Sequence, residues 1–292
     1  MFRQNAFRLG IALLAPMAAM PWGTEGHRAV ALIAENLLTK NTEESIRMLM
    51  AHDVRLADLA TCADEVRQKE RKPSFQLSPA CSAVFPNPPT GTSSWHFINI
   101  DVSTNPLSDA QILDFCGSDC VTKQIVKFTN VLANGATTRA GRQQALAFLV
   151  HFVGDLHQPL HAAVRNNDEG GNKVLVDIFD IHNEKLHSAW DTVIPTHIAV
   201  DETTFASLLT SEIQQAQSEP QVPIAQLQQA VLQWARQSLQ SAKDTAYHGV
   251  KLPPSVTTLN EDYDSAAEKV VRMQIARGGV RLANLLNQTM AK

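Results

Sequence analysis

The chain has 292 residues, 44% of them hydrophobic and 18% charged, and a formal net charge of −4. That length can bury a large core, and no repeat, low-complexity tract or long polar linker divides it, so one domain is expected over residues 22–292. The mild acidity excludes a general basic footprint for nucleic acid, although bound divalent cations would create a local positive focus that overall charge conceals.

At the N-terminus, Arg3 and Arg8 precede LGIALLAPMAAM, too short to span a bilayer but matching the apolar core of a secretory signal peptide. Residues 1–21 are therefore read as an export leader. The processed chain is expected in the periplasm or outside the cell, as a monomer with no membrane anchor. Pro21, just before Trp22, fits the small-residue cleavage rule poorly. The leader holds two arginines and no acids, so its removal takes the charge from −4 to −6.

Helix formers with apolar spacing near three and four predict helices over 26–38, 42–52, 54–69, 119–133, 139–157, 203–217, 222–246 and 260–288. The one persuasive strand is KVLVDIF, residues 173–179, after Gly170 and Gly171, and it suggests a small hairpin. Residues 73–94, rich in proline and serine, are expected to form an irregular loop. The fold class is therefore all-α, apart from the hairpin. Four cysteines, Cys62, Cys81, Cys116 and Cys120, favour disulfides in an exported chain. Of three possible pairings, Cys62–Cys81 with Cys116–Cys120 needs the shortest loops, and no CxxC spacing supports a cysteine–zinc site.

Chemistry concentrates in HFVGDLHQPLH, residues 151–161. His151 and Asp155, at i and i+4, share a helix face and can close on one cation. Pro159 then breaks the helix and lets His161 turn toward a neighbouring ion. EKLHSAWD repeats the pair as His187 and Asp191. A lone histidine on an apolar face is usually a hydrogen-bonded core residue, but two such pairs among further candidates indicate a metal cluster. Nitrogen with carboxylate oxygen suits zinc best, ahead of manganese or iron.

The further candidates sit in short contexts. His27 closes WGTEGH, where a processed Trp22 would offer its amine and carbonyl. Asp64 lies in ADEVR with Arg67 at i+3, and His96 lies in WHFIN between Trp95 and Phe97. His157 is expected to orient a neighbour, while His52, His182, His197 and His248 lack partners at useful spacing. Trp95 and Trp190 are expected to pack around the cluster.

WGTEGH, ADEVR, WHFIN, HFVGDLHQPLH, GGN and LHSAWD, in this order over almost the whole processed chain, resemble the single-strand-specific zinc nucleases of fungi, plants and bacteria, also called type I nucleases or 3′-nucleotidases. The resemblance implies a mainly α-helical fold shared with bacterial zinc-dependent phospholipase C, and three zinc ions per chain. It implies one ion on Asp64, His96, His151 and Asp155 and a second on His161, His187 and Asp191. The third would take Trp22, His27 and a shared Asp155.

The implied activity is phosphodiester hydrolysis in single-stranded DNA and RNA, leaving 5′ phosphates. Asp155 would bridge two ions and Asp64 would orient the attacking water. Arg67 is the candidate for gripping phosphate, with an ion pair to Asp64 as the alternative. Phe97 is the candidate platform for a stacked base, with core packing as the alternative. Asn99 could contact a base edge, though turn hydrogen bonding is its plainer use. Cys62 stands where these nucleases commonly carry tryptophan. Two other readings are a zinc phospholipase C, whose central motif HFVGDLHQPLHAAVRN also resembles, and a non-catalytic zinc-binding protein of the cell exterior.

Overall fold

The structure, a computed structural model, describes residues 22–50, 54–105 and 107–291. The leader at 1–21 and His52 lie outside the described residues. The expected fold class holds: helices dominate, and the strands are short.

Helices α1 (Thr24–Asn36) and α2 (Lys40–Met50) each bury one apolar face. Where spacing predicts a single helix over 54–69, the chain forms α3 (Leu56–Leu59) and α4 (Cys62–Arg71). The break falls at Ala60 and Thr61, where the Ala60 carbonyl accepts the Nδ1–H of His151 at 2.7 Å, a tertiary bond that no local spacing encodes. The 73–94 region is not wholly irregular either. Helix α5 (Pro79–Val84) forms there because it is tethered to α4 by the Cys62–Cys81 disulfide and by the Ser78 amide donating to Glu65 Oε2 at 2.6 Å.

A two-residue strand β1 (Ile100–Asp101) leads to α6 (Asp109–Cys116), a helix the spacing does not predict. Its start is a capping box in which the Ser108 side chain accepts from the Gln111 amide. The Cys116–Cys120 disulfide then turns the chain into α7 (Val121–Ala133), so both bridges are the sequential ones.

Helix α8 (Arg139–His157) matches its expected bounds, with the Thr138 hydroxyl accepting the Gly141 amide at its start. Every residue from Ala145 to His157 is buried. Leu146, Phe148, Leu149, Val150, Phe152, Val153 and Leu156 each contribute roughly 1.5–3 kcal/mol by leaving water. That apolar investment holds the polar residues of the same helix away from solvent. Trp95 stands edge-on to Phe148 and Phe152, at 5.5 and 6.4 Å between ring centroids, which seats residues 93–96 against α8.

Pro159 ends α8 as expected, and Pro159–His161 makes a tight turn into β2 (Ala163–Val164), which pairs in parallel with β1. The expected hairpin is β3 (Leu175–Ile178) with β4 (Ile181–Lys185). Residues 186–198 lie outside the predicted helix ranges, although His187 and Asp191 carry the helical i, i+4 spacing. They form α9 (Leu186–Ser188), a π-helical turn at Ala189–Val193 and α10 (Ile194–Ile198), the wider turn spoiling the 3.6-residue period.

The 203–217 prediction divides into α11 (Glu202–Leu208) and α12 (Thr210–Ser218). Helix α13 (Leu227–Ser241) begins beyond Pro223 and continues as a π-helical turn through Ala246. An unpredicted strand β5 (Thr257–Thr258) joins β3 before α14 (Glu261–Met290) closes the fold. The buried apolar side chains form one connected core, and among the described residues no helix is long and apolar enough to cross a membrane.

Helices α1 and α14 meet closely because two positions lack side chains. A Cβ on Gly279 would lie 2.5 Å from Ile33 Cγ2 and 3.1 Å from the Val30 carbonyl; one on Gly278 would meet Val30 at 3.3 Å. The substitution Gly279→Ala is therefore expected to overpack this contact and cost about 1–3 kcal/mol. Thermal unfolding should register it as a drop of several degrees, on the order of 2–4 °C per kcal/mol for a domain of this size.

Candidate metal centre

The expected donors converge from segments far apart in sequence. His27 comes from α1, Asp64 from α4, His96 from the end of the 93–96 turn, and His151 and Asp155 from successive turns of α8. His161 comes from the turn after Pro159, and His187 and Asp191 from the α9 run. Among the described residues, donor atoms within 4.8 Å of one another form three groups: His27, His151 and Asp155; Asp64, His96 and His151; and His161, His187 and Asp191. His151 and Asp155 sit at the junction, 3.0 Å apart between Nε2 and Oδ2. All of these residues are buried except His187, whose side chain is 14% exposed.

Backbone carbonyls set which ring nitrogen faces inward. The Nδ1 atoms of His151, His161 and His187 lie 2.7 Å from the carbonyls of Ala60, His96 and Gly170 respectively. A carbonyl only accepts, so each Nδ1 carries the proton and each Nε2 presents its lone pair to the centre. His96 turns its Nδ1 inward instead, 3.0 Å from Asp155 Oδ2 and 3.1 Å from His151 Nε2. His27 lies flat on the His151 ring, 4.0 Å between centroids, with Nε2 3.4 Å from Asp155 Oδ1.

Lone pairs facing one another across such gaps repel unless positive charge lies between them. The Nε2 atoms of His27 and His161, and one oxygen each of Asp64, Asp155 and Asp191, are buried without a hydrogen-bond partner. Unpaired buried polar atoms are rare in folded proteins. A donor set of neutral imidazoles and carboxylates with inward lone pairs is what a divalent cation requires.

The titration behaviour has the same origin. Burial pushes His27 down to about 4 and raises Asp64 to about 6, with Arg67 opposing the latter. Burial likewise holds His96 well below the usual imidazole range and lowers His161. In His151 and His187 burial is outweighed by Asp155 and Asp191, and both are raised. Those two shifts express a demand for positive charge at Nε2 that a cation meets as well as a proton. Burial acts against ionised Asp155 and Asp191, yet the surrounding imidazoles hold both below the usual carboxylate range.

The remaining expected residues fall at or around this centre. Trp22 is fully buried, and its main-chain nitrogen lies 3.2 Å from Asp191 Oδ1. Arg67 donates to Asp64 Oδ1 at 2.7 Å, the arrangement weighed as its alternative role. Phe97 is half-buried and Asn99 exposed. Trp190 is buried and donates from its indole to the Tyr263 hydroxyl. His157 faces away: its Nδ1 donates to the Val153 carbonyl and its Nε2 accepts from Arg281, so it touches no ligand candidate. His182 and His197 are exposed, and so is His248.

Three positions escaped the sequence reading. Gln158 donates to Asp191, Gly170 offers its carbonyl to His187, and Gly154 leaves room for His27. The available signal was the place of Gly154 and Gln158 inside HFVGDLHQPLH and of Gly170 in GGN. A Cβ on Gly154 would sit 2.7 Å from His27 Nδ1. Gly154→Ala should therefore tilt the His27 ring away from Asp155. Elemental analysis is expected to find less divalent metal retained than in the unmodified protein, with the helical circular-dichroism signal preserved.

The centre's sequence context matches known proteins. A family model described as S1/P1 Nuclease matches residues 22–291. Nuclease P1 of Penicillium citrinum is 28% identical over 295 residues, covering 91% of this chain and 97% of that protein. Nuclease S1 of Aspergillus oryzae is 28% identical, covering 91% of each chain. Endonuclease 3 of Arabidopsis thaliana is 29% identical, covering 92% of this chain and 89% of its own. With the match running from Trp22 through every donor of the buried centre, the chain belongs to the S1/P1 nuclease family.

Proposed function

We propose that this protein is an exported zinc-dependent nuclease that hydrolyses phosphodiester bonds of single-stranded DNA and RNA to 5′-phosphorylated products and also acts as a 3′-nucleotidase. The observation that carries this reading is the buried convergence of inward-facing imidazole and carboxylate lone pairs in a chain of the S1/P1 nuclease family. Residues 1–21 act as the export leader, and cleavage before Trp22 frees its amine.

Three zinc ions fit the donors. Asp64, His96, His151 and Asp155 hold one; His161, His187 and Asp191 hold another. Trp22, through its amine and carbonyl, holds the third with His27 and Asp155. Bound zinc supplies water activation at neutral pH and positive charge for the phosphoryl oxygens. Asp155 would be shared between two ions, since its carboxylate faces His27 with one oxygen and His96 and His151 with the other. Asp64 orients the attacking water. Arg67, anchored through one nitrogen to Asp64, turns its remaining donors to a nonbridging phosphate oxygen. Phe97 stacks on none of the described aromatic rings and offers its face to an unpaired base, which duplex pairing would keep occupied.

Parallel assays on denatured DNA, RNA and phosphatidylcholine vesicles decide the substrate class. Release of 5′-nucleotides with no lipid turnover is expected; lipid turnover without nucleotide release would make the protein a phospholipase C, and zinc loading without any cleavage would leave it a binding protein. Asp155→Asn should lower kcat/KM by more than about 100-fold, beyond the 10–100-fold typical of losing an outer partner of a ligand. Phe97→Ala should cost about 1–3 kcal/mol of substrate binding, read as a raised KM on short oligonucleotides.

Zinc affinity should depend on pH with a definite sign. Asp64, raised to about 6 by burial, holds a proton below that pH and must release it to bind metal. His151 and His187, raised above the ordinary imidazole value, must lose their protons as well. Affinity is therefore expected to weaken as pH falls, first as those two histidines take up protons and further through about 6 as Asp64 does, in competition titrations with a chelator. An affinity flat from pH 8 to 5 would contradict this account.

A further inference from the structure

We propose that Gln158 is a positioning residue that aims the Asp191 carboxylate at the ion shared with His161 and His187; this rests on the zinc reading above. Gln158 is fully buried at the end of α8, between the ligand Asp155 and the ligand His161. Its side-chain orientation is forced. The Leu160 amide can only donate and lies 2.5 Å from Oε1, so Nε2 must point the other way, where it donates to Asp191 Oδ1 at 2.5 Å.

Asp191 Oδ1 also receives the main-chain nitrogen of Trp22 at 3.2 Å. With two donors on Oδ1, the free oxygen of Asp191 is Oδ2, which has no hydrogen-bond partner and lies 3.1 Å from the His187 Nε2 lone pair. The Gln158 amide thus decides which oxygen is left for metal. It does so while its own backbone joins the ligand segments on either side: its N–H donates to the Asp155 carbonyl at 3.0 Å and its carbonyl accepts the His161 amide at 3.1 Å.

The fold of this turn has independent support, which makes the proposal separable from a structural role. Ser238 Oγ donates to the Leu156 carbonyl at 2.6 Å, and Gln274 Nε2 donates to the His157 carbonyl at 2.9 Å. Removing the Gln158 amide leaves both bonds in place. Gln158→Met keeps the side chain's length without donor or acceptor. Gln158→Glu keeps an acceptor for Leu160 but replaces the donor facing Asp191 with an oxygen.

The test measures zinc per chain for the wild-type protein and both variants after dialysis against graded chelator at pH 8, beside thermal unfolding of each metal-free form. Both variants are expected to lose one zinc at about 10–100-fold lower chelator concentration than wild type, as outer partners of metal ligands typically do. The metal-free Gln158→Met form, which buries no new charge, should unfold within a few degrees of the wild-type temperature, whereas Gln158→Glu sets a second buried carboxylate beside Asp191 and should unfold lower. Unchanged zinc retention in both variants would overturn the proposal while leaving the nuclease reading intact, as would a Gln158→Met loss that only parallels a drop in metal-free stability. A wild-type protein that retains no zinc and cleaves no single strands would overturn both.

Discussion

Three carboxylates, Asp64, Asp155 and Asp191, are buried, with the charges of Asp155 and Asp191 acting on Asp64, and the rest of the structure is organised around that fact. Removing an ionised carboxylate from water costs several kcal/mol even after relaxation, and like charges in one site add to the cost. Arg67 is bonded to Asp64 alone. The positive charge that offsets the others must come from protonated imidazoles or from cations, and burial works against the imidazolium forms of His27, His96 and His161. Such a centre is an expensive feature that the apolar face of α8 and its aromatic neighbours hold in place.

The protein orients these groups chiefly with its own backbone. His96 and His161 are locked to each other: the His96 carbonyl accepts the His161 ring N–H, and the His161 carbonyl accepts the Ile98 amide at 2.7 Å. The short β1–β2 pairing is a continuation of that contact. On the opposite side, Gly170 has φ +62, and a Cβ there would lie 2.6 Å from the Leu160 carbonyl. Only glycine lets the chain pass close enough to offer a carbonyl to His187. His151, His161 and His187 are thereby fixed in ring tilt and in tautomer without any dedicated side-chain partner.

Much of this was legible because helices make spacing into geometry. His151 with Asp155 and His187 with Asp191 are neighbours by the four-residue rule alone, and the helix bounds of α8 were readable from its apolar period and its proline stop. Motif order joined His27, Asp64 and His96 to them. Where the sequence reading departed from the fold, a distant contact had intervened. The 54–69 helix breaks where His151 reaches Ala60. Helix α5 forms where a disulfide and Glu65 hold the chain. The helical run carrying His187 and Asp191 hides its period behind a π-helical turn.

The sequence by itself determined the donor types, the two helical pairs, the helical fold class and the family resemblance, since each depends on residue identity or on separations of a few positions. Only the tertiary structure decided which nitrogen of each histidine faces inward, that Arg67 binds Asp64, that His157 turns away to Arg281, and that Gln158 holds Asp191. Those outcomes depend on which distant carbonyl or side chain lies within about 3 Å, the reach of a hydrogen bond. Such distances are fixed by packing across the whole core and leave no periodic trace in the chain.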